Sequence, residues 1–120
     1  MLKKINRLKS KKAFKATYNN GNALADKAIV LYIGQEKDDK NCPTRVGFVV
    51  SKKVHKRAVV RNKIKRQMRE TVRLLLKDNL ISNNYKSLIY VARNGILNEN
   101  NSGIRKSTEN LTKRIANKNI

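Results

Sequence analysis

The chain has 120 residues, 39% of them hydrophobic, so one domain with a modest core is expected, and Phe14, Phe48 and four tyrosines are its only aromatic residues. Its 29 Lys and Arg against 8 Asp and Glu leave a formal charge of +21, far more than solubility requires, which makes a polyanion such as nucleic acid the first expected partner. The absence of Trp and of any apolar run long enough to span argues against a membrane role, and a lone Cys42 allows neither an internal disulfide nor a CxxC zinc pair, as expected in a reducing cytoplasm.

The basic start, MLKKINRLKSKKAFK, lacks the continuous apolar core and small-residue cleavage site of a signal peptide, so it reads as part of the mature fold. Ser10 is placed to cap a short helix through KKAFKATYNN, and Gly21 to end it in the left-handed conformation. Phe14 and Tyr18 share one face of that helix, where they either seed the core or meet a ligand. Ala28 to Gly34 (AIVLYIG) and Thr44 to Ser51 (TRVGFVVS) read as strands, joined by a polar hairpin tip, QEKDDKNCP, with Pro43 as breaker. Glu36, Asp38 and Asp39 in that tip lack the spacing and Gly of a calcium loop. Alternation puts Arg45, Gly47 and Val49 on one face of the second strand and Val46, Phe48 and Val50 on the other. Periodicity leaves open which face is core, and so whether Phe48 is buried.

Ser51 to Lys77, SKKVHKRAVVRNKIKRQMRETVRLLLK, is the stretch around which the rest is organised. At helical spacing Val60, Ile64, Met68, Thr71 and Leu75 form an apolar stripe, beside which Arg61, Lys65, Arg69 and Arg73 make an i, i+4 row with Asn62 and Arg66 next to it. A solvated helix normally mixes Glu with Lys, yet Glu70 is the only acid here. Arg dominates the row, and its planar fork suits phosphate oxygens, while Asn62 can address a 2′-OH or base edge. A turn-rich loop from Asp78 to Tyr85 precedes a buried-type strand, Ser87 to Ala92, ending at Arg93. The resulting strand, helix, strand unit would ordinarily cross right-handed. Ile104, Thr108, Leu111 and Ile115 mark an amphipathic last helix with Ser102 as candidate cap.

VGFVVSKK followed by AVVRNKIKRQMRE closely resembles the signature of the bacterial ribonuclease P protein subunit, whose strand VGFSVSKK leads into a helix of the form AVVRNRxKRxxRE carrying an RNR motif. Lys63 replaces the usual second Arg, which keeps the charge, and His55 replaces the usual Gly of the turn, where a positive φ would be costly for His. The family's N-terminal RLK and xxFxxVYxxG are matched by Arg7, Leu8, Lys9, Phe14, Tyr18 and Gly21. The resemblance spans nearly the whole chain and is weakest after Ile96.

The resemblance implies a single small α+β domain, in the order α-β-β-(β)-α-β-α, with a sheet of at most four strands packed by helices and a βαβ crossover that is left-handed in this family. It implies a monomer bound to ribonuclease P RNA and precursor tRNA. Arg61, Asn62, Lys63, Lys65, Arg66 and Arg69 would meet the catalytic RNA; Phe14, Tyr18, Tyr32 and Phe48 with Lys52 and Lys53 would hold the 5′ leader. Further candidate RNA contacts are Arg7, Arg45, His55, Lys56, Arg73 and Arg93.

A protein nuclease needs acid and base groups or metal-holding carboxylates, and one His with eight scattered acids forms no such constellation. His55, amid Lys52, Lys53, Lys56 and Arg57, is a candidate phosphate contact rather than a base. No cofactor is expected in the protein, and the family implies that magnesium is held mainly by the RNA. A ribosomal-type structural RNA-binding protein would share the charge and the lack of catalytic groups but would not need the leader cleft. A DNA-reading helix pair with a tight Gly turn is not evident.

Overall fold

The computed structural model describes residues 6–37, 43–78 and 85–118. The segment expected to be a hairpin tip, with Asp38, Asp39 and Cys42, and most of the loop before Tyr85, lie outside them. Among the described residues the elements are α1 (Lys11–Asn19), β1 (Asn22–Ala25), β2 (Ile29–Ile33), β3 (Arg45–Val49), α2 (Ala58–Lys77), β4 (Ser87–Ala92), a 3-10 turn (Asn94–Asn98) and α3 (Asn101–Lys118). This is the expected α+β order with three strands before α2, the additional one being β1, which precedes the two strands read from the sequence and does not follow them.

Local chemistry sets the boundaries. Ser10 Oγ accepts from the Ala13 amide at 3.4 Å at the start of α1, and Gly21, at φ 80°, follows its end. Asp26 Oδ1 accepts from the amides of both Ala28 and Ile29 at 2.8 Å, which closes the β1–β2 hairpin. At α3 the expected cap, Ser102, is displaced by Asn100: its Oδ1 accepts from the Gly103 amide at 2.8 Å, and Ser102 lies inside the first turn. Asn100 immediately precedes the helix and so reaches the third helical amide, as an N-cap does.

The sheet order is β1-β2-β4-β3, with β2 antiparallel and β3 parallel to the central β4; β2 and β3, the two strands expected to form a hairpin, are therefore not paired, because β4 lies between them. Leu31, Leu88, Tyr90 and Val46 point to one face, where Ile64, Met68, Val72 and Leu75 of α2 and Ile104, Leu111 and Ile115 of α3 complete the core. The predicted stripe on α2 is therefore the buried one, extended by Val72, with Val60 only partly covered. Tyr90 is fully buried in this core, and its hydroxyl lies 2.6 Å from Thr112 Oγ1. Burial drives its phenol far above the ordinary range, with the Thr112 hydrogen bond opposing the shift.

Candidate nucleic-acid interface

The opposite sheet face is crossed by α1. Register places Tyr32, Ile89 and Gly47 in one row across β2, β4 and β3. Phe14 settles on the gap at Gly47, where a Cβ would lie 2.6 Å from its ring. Thr17 pins the helix to β4. Its hydroxyl donates to the Ala13 carbonyl at 2.8 Å, which leaves it to accept from the Ser87 hydroxyl at 2.5 Å, so both buried groups are satisfied. Asn20 Nδ2 donates to the Ile33 carbonyl at 3.1 Å and ties down the far end.

Three of the four expected cleft aromatics meet on this face. The Tyr18 ring stands edge-on to Tyr32 at 4.8 Å and tilted to Phe14 at 6.5 Å. Tyr18 is 37% exposed, so the trio reaches solvent through its ring. Partial burial, and then the neighbouring Tyr32 phenol, raise its pKa.

Phe48 is not among them. It shares a register pair with Tyr90 and points to the core face, its ring stacked on Tyr90 at 5.6 Å and 18°. The ambiguity left by alternation thus resolves with Val46, Phe48 and Val50 inward, because Gly47 must face α1 to admit Phe14. Lys52 and Lys53 are exposed in the turn beyond the C-terminal end of β3, past the strand that carries Gly47.

The basic row of α2 divides in two. Arg61, Lys65, Arg69 and Arg73 are half-buried, and three of them are engaged within the protein. Arg61 Nη1 donates to the carbonyls of His55 at 3.2 Å and Lys56 at 3.1 Å. The Arg69 guanidinium lies over the Phe48 ring, 5.9 Å from its centre. Arg73 makes a two-pronged ion pair with Glu70, and that contact lowers the Glu70 pKa. Asn62, Lys63 and Arg66 are exposed and have no intramolecular polar partner among the described residues. They form the outward edge.

His55 serves the turn rather than straining it: its Nδ1 accepts from the Arg57 amide at 3.1 Å, a contact that Gly could not make. Lys56 is exposed beside it. Arg7 is half-buried at the β3 edge, forming an isolated parallel bridge with Val46, and Arg45 is exposed at the start of β3. Arg93 lies at the end of β4, where Nη1 donates to the Asp26 carbonyl at 2.9 Å and braces the β1–β2 turn. A groove of about 290 Å³ joins the two faces around the edge of β3, lined by Arg7, Lys9, Phe14, Phe48, Lys65 and Arg69 among others. Sequence periodicity could not show this groove, since its walls come from opposite sides of one strand. Among the described residues no three His, Cys, Asp or Glu side chains gather where they could hold a metal ion, and no helix is long and apolar enough to cross a membrane.

Fold and site together define a small, strongly basic α+β domain with a cationic helix edge and a separate aromatic face. Residues 2–116 match the family Ribonuclease P. The Ribonuclease P protein component of Clostridium botulinum strain 657 is 36% identical over 111 residues, covering 92% of this chain and 95% of its own. That of Symbiobacterium thermophilum is 47% identical over 74 residues, and there the match spans 62% of each protein. The Staphylococcus aureus RNase P protein superposes with a TM-score of 0.75 at 31% identity, covering 93% of this chain and 96% of that one. The chain belongs to the ribonuclease P protein family, whose members are protein subunits of an endoribonuclease.

Proposed function

We propose that the chain is the protein subunit of a cytoplasmic ribonuclease P, in which a catalytic RNA holding magnesium ions cuts the 5′ leader from precursor tRNA. The observation that carries this reading is the family match across residues 2–116. The protein's own part is to bind and orient. The outward edge of α2, Asn62, Lys63 and Arg66, sets two positive charges and one neutral amide against catalytic-RNA phosphates, releasing counterions and favouring the compact RNA. Arg61 holds the turn that carries Lys52, Lys53 and Lys56, so that these cations reach the RNA from a fixed base.

On the other sheet face, the Phe14, Tyr18 and Tyr32 cluster offers aromatic rings to an extended leader, and base stacking on such rings tolerates varied sequence. The two surfaces lie on opposite sides of one sheet, so a single monomer can address both RNAs. The test is cleavage of precursor tRNA by rigorously RNA-free protein, by RNA subunit alone, and by both together across a magnesium titration. The protein alone is expected to be inert, and adding it to the RNA is expected to lower the magnesium needed. Metal-dependent 5′ cleavage without RNA would overturn the reading.

A further inference from the structure

The edge groove contains an arrangement that the two surfaces above do not use. Tyr90, held in the core with its hydroxyl against Thr112, stacks on Phe48, and Arg69 stands over the Phe48 ring from α2. The Phe48 ring thus already has Tyr90 and Arg69 as neighbours, which is a poor setting for a base but a good one for holding a guanidinium in place. Lys65, one turn earlier on α2, lines the same groove, and none of the groove's lining residues is acidic. Glu70, next to Arg69, is turned to Arg73. At about 290 Å³ the groove sits at the small end of ligand clefts, a scale suited to one phosphodiester unit rather than a folded RNA element.

We propose that Phe48 is a positioning residue: stacked on Tyr90 and lying under Arg69, it fixes the Arg69 guanidinium beside Lys65 as a preorganised phosphate site for single-stranded RNA. The proposal rests on the RNA-binding role argued above and deepens it by separating Phe48 from the base-stacking aromatics. The stack ties the core to the surface, so the fork meets phosphate without first losing side-chain freedom.

The full chain is titrated with a labelled mixed-sequence single-stranded RNA of about ten nucleotides at several salt concentrations, with melting temperature measured for every variant. Arg69→Ala is expected to lower the log–log salt slope by about 0.7. Phe48→Leu is expected to weaken binding about two- to fivefold, Phe48→Tyr to leave it intact, and Phe48→Leu to add nothing in an Arg69→Ala background. Arg69→Lys, which keeps the charge but loses the planar fork, should fall between wild type and Arg69→Ala, and this comparison decides the matter if Phe48→Leu does not fold.

Further weakening by Phe48→Leu in the Arg69→Ala background would make Phe48 a base platform and overturn the proposal. So would no binding by wild type, or equal binding by Arg69→Ala, Arg69→Lys and wild type. Repeating the series with leader-bearing precursor, mature tRNA and the catalytic RNA assigns the source of the phosphate. Absence of ribonuclease P activity with the oligonucleotide coupling intact would sink only the activity proposed above.

Discussion

Arg61 donates to the backbone carbonyl of His55 at 3.2 Å, which turns the first arginine of the basic helix back onto the loop that precedes it. The same nitrogen reaches the Lys56 carbonyl at 3.1 Å, while Arg66, little more than one turn further on, is exposed to solvent. Two arginines that look equivalent in sequence therefore do different work.

Arg66→Ala should reduce the log–log salt slope for catalytic-RNA binding by about 0.7 to 0.9 with the melting temperature unchanged. Arg61→Ala should reduce the slope less, lower stability by about 1 kcal/mol, and speed hydrogen exchange at the Val54 and Arg57 amides, which bond to Ser51 and His55 within the clamped turn. Identical slopes with unaltered exchange would remove the clamp.

The aromatic face can be tested without melting the domain because Tyr18 is its most exposed ring. Tyr18→Ala should weaken precursor binding by about 1–3 kcal/mol, leaving mature tRNA binding and holoenzyme assembly nearly unchanged. Phe14→Ala, which empties the seat over Gly47, should show the same selectivity together with a clear fall in melting temperature. Equal weakening for both RNAs in Tyr18→Ala would place the leader elsewhere.

Thr17→Val should cost about 1–3 kcal/mol, because it removes the only acceptor that the buried Ser87 hydroxyl has among the described residues. Adding Ser87→Ala should recover much of that loss, a non-additivity that chemical denaturation of the single and double variants measures directly. Simple addition of the two losses would mean that the hydroxyl pair does not hold α1 to β4.

Burial raises the Tyr90 pKa above its ordinary value near 10, so the folded state resists losing that proton. The resulting stability is fully present below the unfolded pKa and is lost as pH rises from there toward the folded value. Stability should therefore decline above about pH 10, and Tyr90→Phe, though less stable at neutral pH for lack of the Thr112 contact, should decline less steeply. Parallel alkaline profiles for the two proteins would contradict this.

Much of the fold was legible because its signals are local. Ser10, Gly21, the apolar strands and the spacing of Ile104, Thr108, Leu111 and Ile115 each follow from capping, left-handed backbone or periodicity. β1 was not, since NALA is short and mostly exposed and acquires strand geometry only by pairing with β2. The site was less legible than the fold. Asn62, Lys63 and Arg66 could be read as a basic edge, but whether an arginine faces outward or bonds its own loop depends on the preceding turn. Likewise the side that Phe48 takes depends on Phe14, more than thirty residues earlier, needing the space above Gly47.

The central position of β4 bears on how the chain comes off the ribosome. β2 and β3 each hydrogen-bond to β4 and not to each other, so a nascent chain that has not yet reached residue 87 cannot build the sheet on which both α1 and α2 rest. Until then the apolar stripe of α2 has no surface to close against, and its cations are displayed on an unfolded polypeptide surrounded by RNA. Folding must accordingly be a late event in synthesis, begun when the strand that arrives last inserts between β2 and β3 and completed by α3, whose Ile104, Leu111 and Ile115 close the core.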